Sequence, residues 1–503
     1  MNRKTLKIMV GLLSLPGLVV MLAVIEHYRG EIGLWQWRRA AQARGEKLSL
    51  SELAPSFPPG QATVPADLVA ARLFSPEDNG RTSHAGETLQ IRLTMNRATP
   101  GRIPVAWEDR WEWKDLAEST NTWEELAAKI EDLRPFLQVI RSNLAGRQWL
   151  VGYDYTKGIG TRIPPIFDLE RSAKVLAAAG LVDLHQHRLD EARENLMALP
   201  RLIELLSEGH YQIAQFGVAA VGRAAIPAVW QVLQAPGWTD PQLAQLQAAW
   251  QPRGYLGNLV SAMRMDRAMC DKSVFDGLRI SLVAWIKLGR PSLSTRLSAP
   301  MEMFWWHAWL SQDQLFFDRT MQERIDFTRT VLSAGSCRAA WLQRGLTPGA
   351  SAVPDLRAPL FRVAANRTHW YDKMRYQYSG LCMGPMTDPI NSAITLENFR
   401  GLLLAAVGLK RYELRHGRSA PSLAALVPEY LDTVPVDFMD GQPLRYRLQE
   451  DGTWRLYSIG WDGKDDDGDP TPASPGQKYE TYSDGRDWVW PVPATPPDRS
   501  SPP

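Results

Sequence analysis

The first hydrophobic feature of the chain is a run rather than an alternation. Residues 8–25, IMVGLLSLPGLVVMLAVI, are 18 consecutive positions without a charge. As a helix, such a run is long enough to cross the ~30 Å hydrocarbon core of a bilayer. Arg3, Lys4 and Lys7 precede it, and a basic flank keeps that end in the cytoplasm. A cleaved signal peptide would carry a shorter apolar stretch and a small-x-small cleavage site. Here the run leads into VIEHYRG, with no such site and no lipobox cysteine. The expectation is an anchor over residues 1–29 with the rest of the chain exported. A juxtamembrane helix and a proline-rich linker follow over residues 30–65, where Trp35, Trp37, Arg38 and Arg39 suit a membrane interface.

Residues 66–121 are irregular, with one strand-like alternation in TLQIRLTM, where Leu89, Ile91 and Leu93 point one way. From 122 to 345 the period turns helical. Thr122 and Glu125 form a capping box, and Pro135 is expected to kink or end the helix they open. The segment from Asp168 reads as two helices joined near His187 and Arg188, with small residues at their crossing, and is similar to a degenerate tetratricopeptide hairpin. Thr239 or Asp240, followed by Pro241, starts another helix cleanly. After a connecting segment over 346–389, Phe399, Leu402, Leu403, Ala406 and Leu409 mark one apolar helix face, and Gly417 is its stop. A hairpin comes next: Leu444, Tyr446 and Leu448 alternate with polar residues, and Asp451-Gly452 makes the turn. The tail over 491–503 is too rich in proline and serine to pack. The fold class is therefore mainly α with a C-terminal α+β domain.

Composition narrows the function more than the fold. The chain has 503 residues, 45% of them hydrophobic, enough to bury cores in two or three domains. A net charge of +2 leaves no footprint for nucleic acid. Cys270, Cys337 and Cys382 have no zinc-ligand spacing and allow at most one intramolecular disulfide, which the sequence does not choose. His185 and His187 stand two apart, so on a helix they do not share a metal. No nucleophile elbow, phosphate loop or zinc-protease motif is present. Ser458 and Ser336 lack a recognisable base and read as structural. The expectation is a protein that is not an enzyme.

One stretch asks for chemistry: YSIGWDGKDDDGD, with Asp462, Asp465, Asp466, Asp467 and Asp469 punctuated by Gly463 and Gly468. So many carboxylates repel one another unless a cation sits among them. Calcium takes roughly six to eight oxygens. The spacing is not that of an EF-hand. Read alone, the loop is either a solvated acidic surface or a cation site.

The succession around it resembles the C-terminal globular region of the major pseudopilin of type II secretion systems. The shared order is a helix ending in KRYELRHGR, a short helix, Val434-Pro435-Val436-Asp437, Gly441-Gln442-Pro443-Leu444-Arg445-Tyr446, then Tyr457-Ser458-Ile459-Gly460-Trp461-Asp462-Gly463 before an acidic loop. The resemblance covers residues 390–490. It implies a structural calcium ion that holds the loop to the sheet, with Asp462, Asp465, Asp467 and Asp469 as ligands. The chain departs from that family in lacking a prepilin cleavage site and a glutamate within its apolar run. The whole arrangement resembles a group of membrane-anchored bacterial envelope proteins. The expectation is a single-pass inner-membrane protein with its bulk in the periplasm. It would act as a binding or scaffold protein with envelope protein partners, associated with a type II secretion or pilus-like apparatus. The alternatives are a calcium-assisted envelope hydrolase and an atypical minor pseudopilin.

Overall fold

The computed structural model describes residues 3–55, 63–74, 123–145, 150–164, 166–207, 209–251, 254–279, 293–343, 375–383, 389–450, 452–471 and 485–490. The TLQIRLTM alternation, Thr122, Asp451 and the 491–503 tail lie outside them. The described chain is mainly helical, with a small antiparallel sheet near its C-terminal end.

Helix α1, Arg3–Ala43, is one continuous rod of 41 residues, not an anchor followed by a separate juxtamembrane helix. At about 1.5 Å per residue it is roughly 60 Å long. Gly30 and Gly33 do not break it, because both sit where a neighbour comes close. A Cβ at Gly30 would lie 2.8 Å from the Gln312 side chain, and one at Gly33 would lie 2.9 Å from Leu315. That neighbour is the helix Leu293–Ala334, numbered α10 in the chain order given below. The pairing is parallel: Glu26 meets Gln312, Gly33 meets Leu315, and Glu46 meets Gln322 and Arg329. Gln312 Nε2 donates to both the Glu26 carbonyl and its carboxylate at 2.6 Å.

A one-turn helix α2, Leu50–Leu53, is capped by Ser49 and Glu52. Strand β1, Val64–Pro65, pairs in parallel with β2, Val151–Gly152. Between them comes α3, Val69–Phe74, where the sequence suggested irregular chain. Its Val69 and Leu73 are fully buried, and Asn143 Nδ2 holds the carbonyls of Arg72 and Leu73.

Helix α4, Trp123–Leu144, does not end at Pro135 but continues past it. Proline removes one backbone bond. The buried stripe Leu126, Ile130, Leu137, Ile140 and Leu144 continues on both sides of it, and that packing outweighs the lost bond. The helix packs on α5, Ile166–His185, and α6, Leu189–Ser207, which form a three-helix bundle with α7, Gln212–Leu233. The α5–α6 joint falls where the sequence placed it. His187 takes a left-handed conformation, and Arg188 N donates to the Asp183 carbonyl. His185 is stacked on Trp123 with ring centroids 4.5 Å apart.

Asp183 is completely buried and accepts from Arg134, Arg188 and Asn195 at 2.7–2.8 Å. Removing one member of a buried pair strands the others. Asp183→Ala is therefore expected to cost about 3 kcal/mol, read as a lower urea midpoint with an unchanged slope.

Helices α8, Asp240–Ala249, and α9, Tyr255–Cys270, follow, and α9 runs into a π-helical turn, Asp271–Asp276. Then come α10, α11, Cys337–Leu342, and α12, Gln377–Met383. The long α13, Pro389–His416, packs on α7, α8 and α9 as well as on the sheet. One apolar core consequently runs from Ala23 through Phe399 to Trp490. Among the described residues two helices are long and apolar enough to cross a membrane, α7 and α13, and neither is N-terminal. Both are core helices of this body, with 83% of the apolar window buried.

The sheet has the order β3–β4–β5, with β3 at Arg445–Leu448, β4 at Trp454–Ser458 and β5 at Trp488–Trp490. The predicted hairpin is β3–β4, in register Arg445↔Tyr457 and Leu448↔Trp454. Leu444 is buried as expected, whereas Leu448 is exposed at the hairpin end.

Candidate cation site in the acidic loop

The site rests on Asp437, the aspartate of the Val-Pro-x-Asp step, which is 0% exposed. Oδ1 accepts from Met439 N and Ser458 Oγ, and Oδ2 accepts from Ile459 N and Arg445 Nη1, at 2.8–3.2 Å. Three sequence motifs are thus joined at one buried carboxylate. Ser458 serves this closure, and Ser336 caps α11 through Ala339 N.

The loop leaves β4 at Gly460. That residue has φ +65°, and a Cβ there would meet the Arg486 carbonyl at 1.9 Å. Gly460→Ala is expected to destabilise the chain by more than about 2 kcal/mol and to pull residues 485–490 away from the loop. Hydrogen exchange at Trp488–Trp490 measures that displacement.

The loop backbone wraps around Asp487, the residue just before β5. Asp487 Oδ2 accepts from the amides of Asp466, Gly468 and Asp469 at 3.1, 2.6 and 3.3 Å. Asp487 N returns a bond to the Asp469 carbonyl, and Arg486 N to that of Thr471. Asp487 is 1% exposed, and its Oδ1 is buried without a hydrogen-bond partner. Burial pushes its carboxyl up to about 7, with the charges of Asp465 and Asp466 adding to the effect. Asp462 is also pushed up, first by burial and then by Asp466, whose carboxylate stands within hydrogen-bonding reach.

The four aspartates singled out by the sequence do not converge on one point. Asp465 accepts from Tyr457 Oη at 2.9 Å and faces Arg445 at 3.8 Å. Asp467 is paired with Arg447, and its carbonyl accepts from Arg455. Asp469 turns to Thr471 and to Arg486, 3.9 Å away. Asp462 accepts from Lys464 N in its own turn. Arginines on β3, β4 and the Arg486 segment thus neutralise the outer carboxylates and tie the loop to the sheet. Among the described residues no three His, Cys, Asp or Glu side chains are gathered as a metal group.

What stays least compensated is the orphaned Oδ1 of Asp487, beside the like-charged Asp462–Asp466 pair, of which Asp466 faces Arg486 at 4.0 Å. These are hard oxygen donors in like-charge contact, a donor set that fits calcium. Asp466 and Asp487 were not among the residues the sequence singled out. Asp487 follows Asp469 only after a long intervening stretch, and its role depends on the pairing of β5 to β4, which no local pattern announces.

No protein-family model, curated protein or solved structure matches the chain.

A second polar region lies in the helical body. A cavity of about 400 Å³ is bounded by α7, α9, α10 and α12. Asp266 lines it, accepts from Gln212 N and Nε2 at 3.1 and 2.9 Å, and is pushed up to about 7 by burial. No aspartate of the acidic loop lines this cavity.

Proposed function

We propose that the protein is a membrane-anchored scaffold of the bacterial envelope, with its helical body in the periplasm and its C-terminal module steadied by calcium. The observation that carries this reading is the surface of α1. Leu18, Val19, Val20, Met21, Leu22, Val24 and Ile25 are each 44–62% exposed on a helix that runs on into the core. Isolated exposed apolar residues are ordinary, but a contiguous belt marks an interaction surface. A bilayer suits an uncharged belt that ends at Glu26, whose carboxylate accepts from Gln312 of α10. The upper half of a rod of this length spans the hydrocarbon, and the lower half joins it to the body. The α5–α6 hairpin is the tetratricopeptide-like part and offers a surface for peptide partners. The pseudopilin-like end is the part suited to docking on a type II secretion or pilus-like apparatus.

Replacement of residues 1–29 by a cleavable signal peptide is expected to move the protein from the membrane pellet to the soluble periplasmic fraction. Membrane retention of the shortened chain would contradict the anchor, and protection from protease in spheroplasts would contradict the periplasmic location.

A hydrolase is the second reading, favoured by Asp266, a carboxyl held near neutrality in a cavity. With the acidic loop absent from that cavity, calcium would take no part in the chemistry. An Asp266→Asn variant that loses an envelope-polymer hydrolase activity present in the intact protein would establish this reading. An intact protein without such activity removes it.

A further inference from the structure

Two of the three cysteines, remote in sequence, meet in space. Cys270 ends α9 where the helix widens into its π-turn, and Cys382 lies on α12. Their thiols stand within hydrogen-bonding reach of each other, and both line the 400 Å³ cavity. Each thiol is held by a fixed frame. On one side, the buried Asp313 carboxylate accepts from Tyr378 N at 2.8 Å and Ser379 N at 3.1 Å, pinning the first turn of α12. On the other, Asp271 accepts from Gln314 Nε2 at 2.7 Å, pinning the turn that follows Cys270. Both frames are anchored in α10. Cys337 is elsewhere: it is fully buried, and its amide donates to the Phe438 carbonyl beside the C-terminal module. The pairing that the sequence leaves open has one geometric solution.

We propose that Cys270 and Cys382 form a disulfide in the exported protein, a covalent strap from α9 to α12 across the cavity wall. The proposal rests on the periplasmic reading for its oxidising surroundings. The chemistry is two exchanges with a disulfide donor, in the cell a thiol oxidoreductase of the exporting compartment. One cysteine thiolate attacks the donor, forms a mixed disulfide and expels one donor sulfur as a thiolate. The second cysteine thiolate attacks the protein sulfur of that mixed bond and expels the other donor sulfur. The pair loses two electrons, the donor disulfide gains them, and the two thiol protons pass to the expelled thiolates. The Cys382 contact, and then burial, push the Cys270 thiol up, so exchange in the folded chain is slow and the bond forms chiefly while the exported chain folds.

The test uses the full chain in detergent, reduced, unfolded and refolded in an oxidised glutathione buffer, then acid-quenched, alkylated and digested with trypsin. The expected result is a fall from three titratable thiols to one. The tryptic peptide 268–272 should be recovered linked to 376–400, with Cys337 alkylated. Cys270→Ser should leave Cys382 as a glutathione adduct. Three remaining thiols, separate adducts on Cys270 and Cys382 in the unsubstituted chain, or a link to Cys337 would overturn the proposal. The same digestion of acid-quenched cells separates it from the location. A linked peptide from cells is the expected result for both. A pair that closes in glutathione but is wholly reduced in cells keeps the disulfide chemistry and overturns both its formation in the cell and the periplasmic reading.

Discussion

Asp437→Ala is expected to be the most damaging single substitution in the C-terminal module, costing more than about 4 kcal/mol. The aspartate is wholly buried and accepts four hydrogen bonds, from Met439 N, Ser458 Oγ, Ile459 N and Arg445. Alanine leaves two backbone amides without an acceptor, and each such orphan costs about 1–3 kcal/mol. It also removes one carboxylate from a buried ion pair, where truncation costs about 3–5 kcal/mol. Asp440 still holds Arg445 at the far end, so the two losses do not add in full. Asp437→Asn keeps the shape and two of the acceptor contacts, and is expected to cost roughly half as much. Urea unfolding followed by tryptophan fluorescence reads both, because Trp454, Trp461, Trp488 and Trp490 surround the site. A variant within about 1 kcal/mol of the parent would mean that the shared motifs are not what closes this module.

Asp487 is expected to make metal-free stability depend on pH in an unusual direction. Its folded carboxyl titrates near 7, against about 4 in an unfolded chain. The folded state therefore binds the proton more tightly. That contribution is fully present below pH ~4 and is lost as pH rises through 7. Chelated protein should thus melt higher at pH 5 than at pH 8, by an amount on the order of 1–3 kcal/mol once solvent screening is allowed for. Asp487→Asn keeps an acceptor for the three loop amides and puts an N–H₂ where the orphaned oxygen was. In chelator at pH 8 this variant is expected to be more stable than the parent, with the 5-to-8 slope flattened. A parent protein that loses stability on going from pH 8 to pH 5 in chelator would contradict the buried, uncompensated carboxyl.

How much of this was legible in the sequence depends on the range of the interaction. The α5–α6 joint at His187–Arg188, the Thr239 cap of α8 and the β3–β4 hairpin are each decided by neighbours a few residues apart, and they were read correctly. Pro135 is a local stop signal that tertiary packing overrode, since α4 keeps its buried stripe across the proline, and α1 uses its glycines to approach α10. The strand β5 was invisible, because three apolar residues have no readable period and are a strand only beside β4. The surroundings of the acidic loop were hidden for the same reason. The pseudopilin resemblance implied Asp462, Asp465, Asp467 and Asp469 as ligands, and β3 and the residues before β5 bring arginines to the last three of them. The least compensated carboxylates are Asp462 and Asp487, the last supplied by a distant segment, while Asp466 faces Arg486 at 4.0 Å. The sequence also suggested a C-terminal domain with its own boundary near residue 390. The buried α13 shares its core with α7, α8 and α9, so the intact chain is the proper object for any stability test.

The most direct measurement is the melting temperature of the full-length protein in detergent at pH 8, with millimolar calcium and then with chelator, alongside Asp487→Asn. A cation present at about 100 times its dissociation constant adds about 2.7 kcal/mol. The account predicts an upward shift of the parent with calcium, no such shift for Asp487→Asn, and no comparable response to magnesium. Identical melting of the parent in calcium and in chelator would contradict it, and would leave the acidic loop as a surface already neutralised by its arginines.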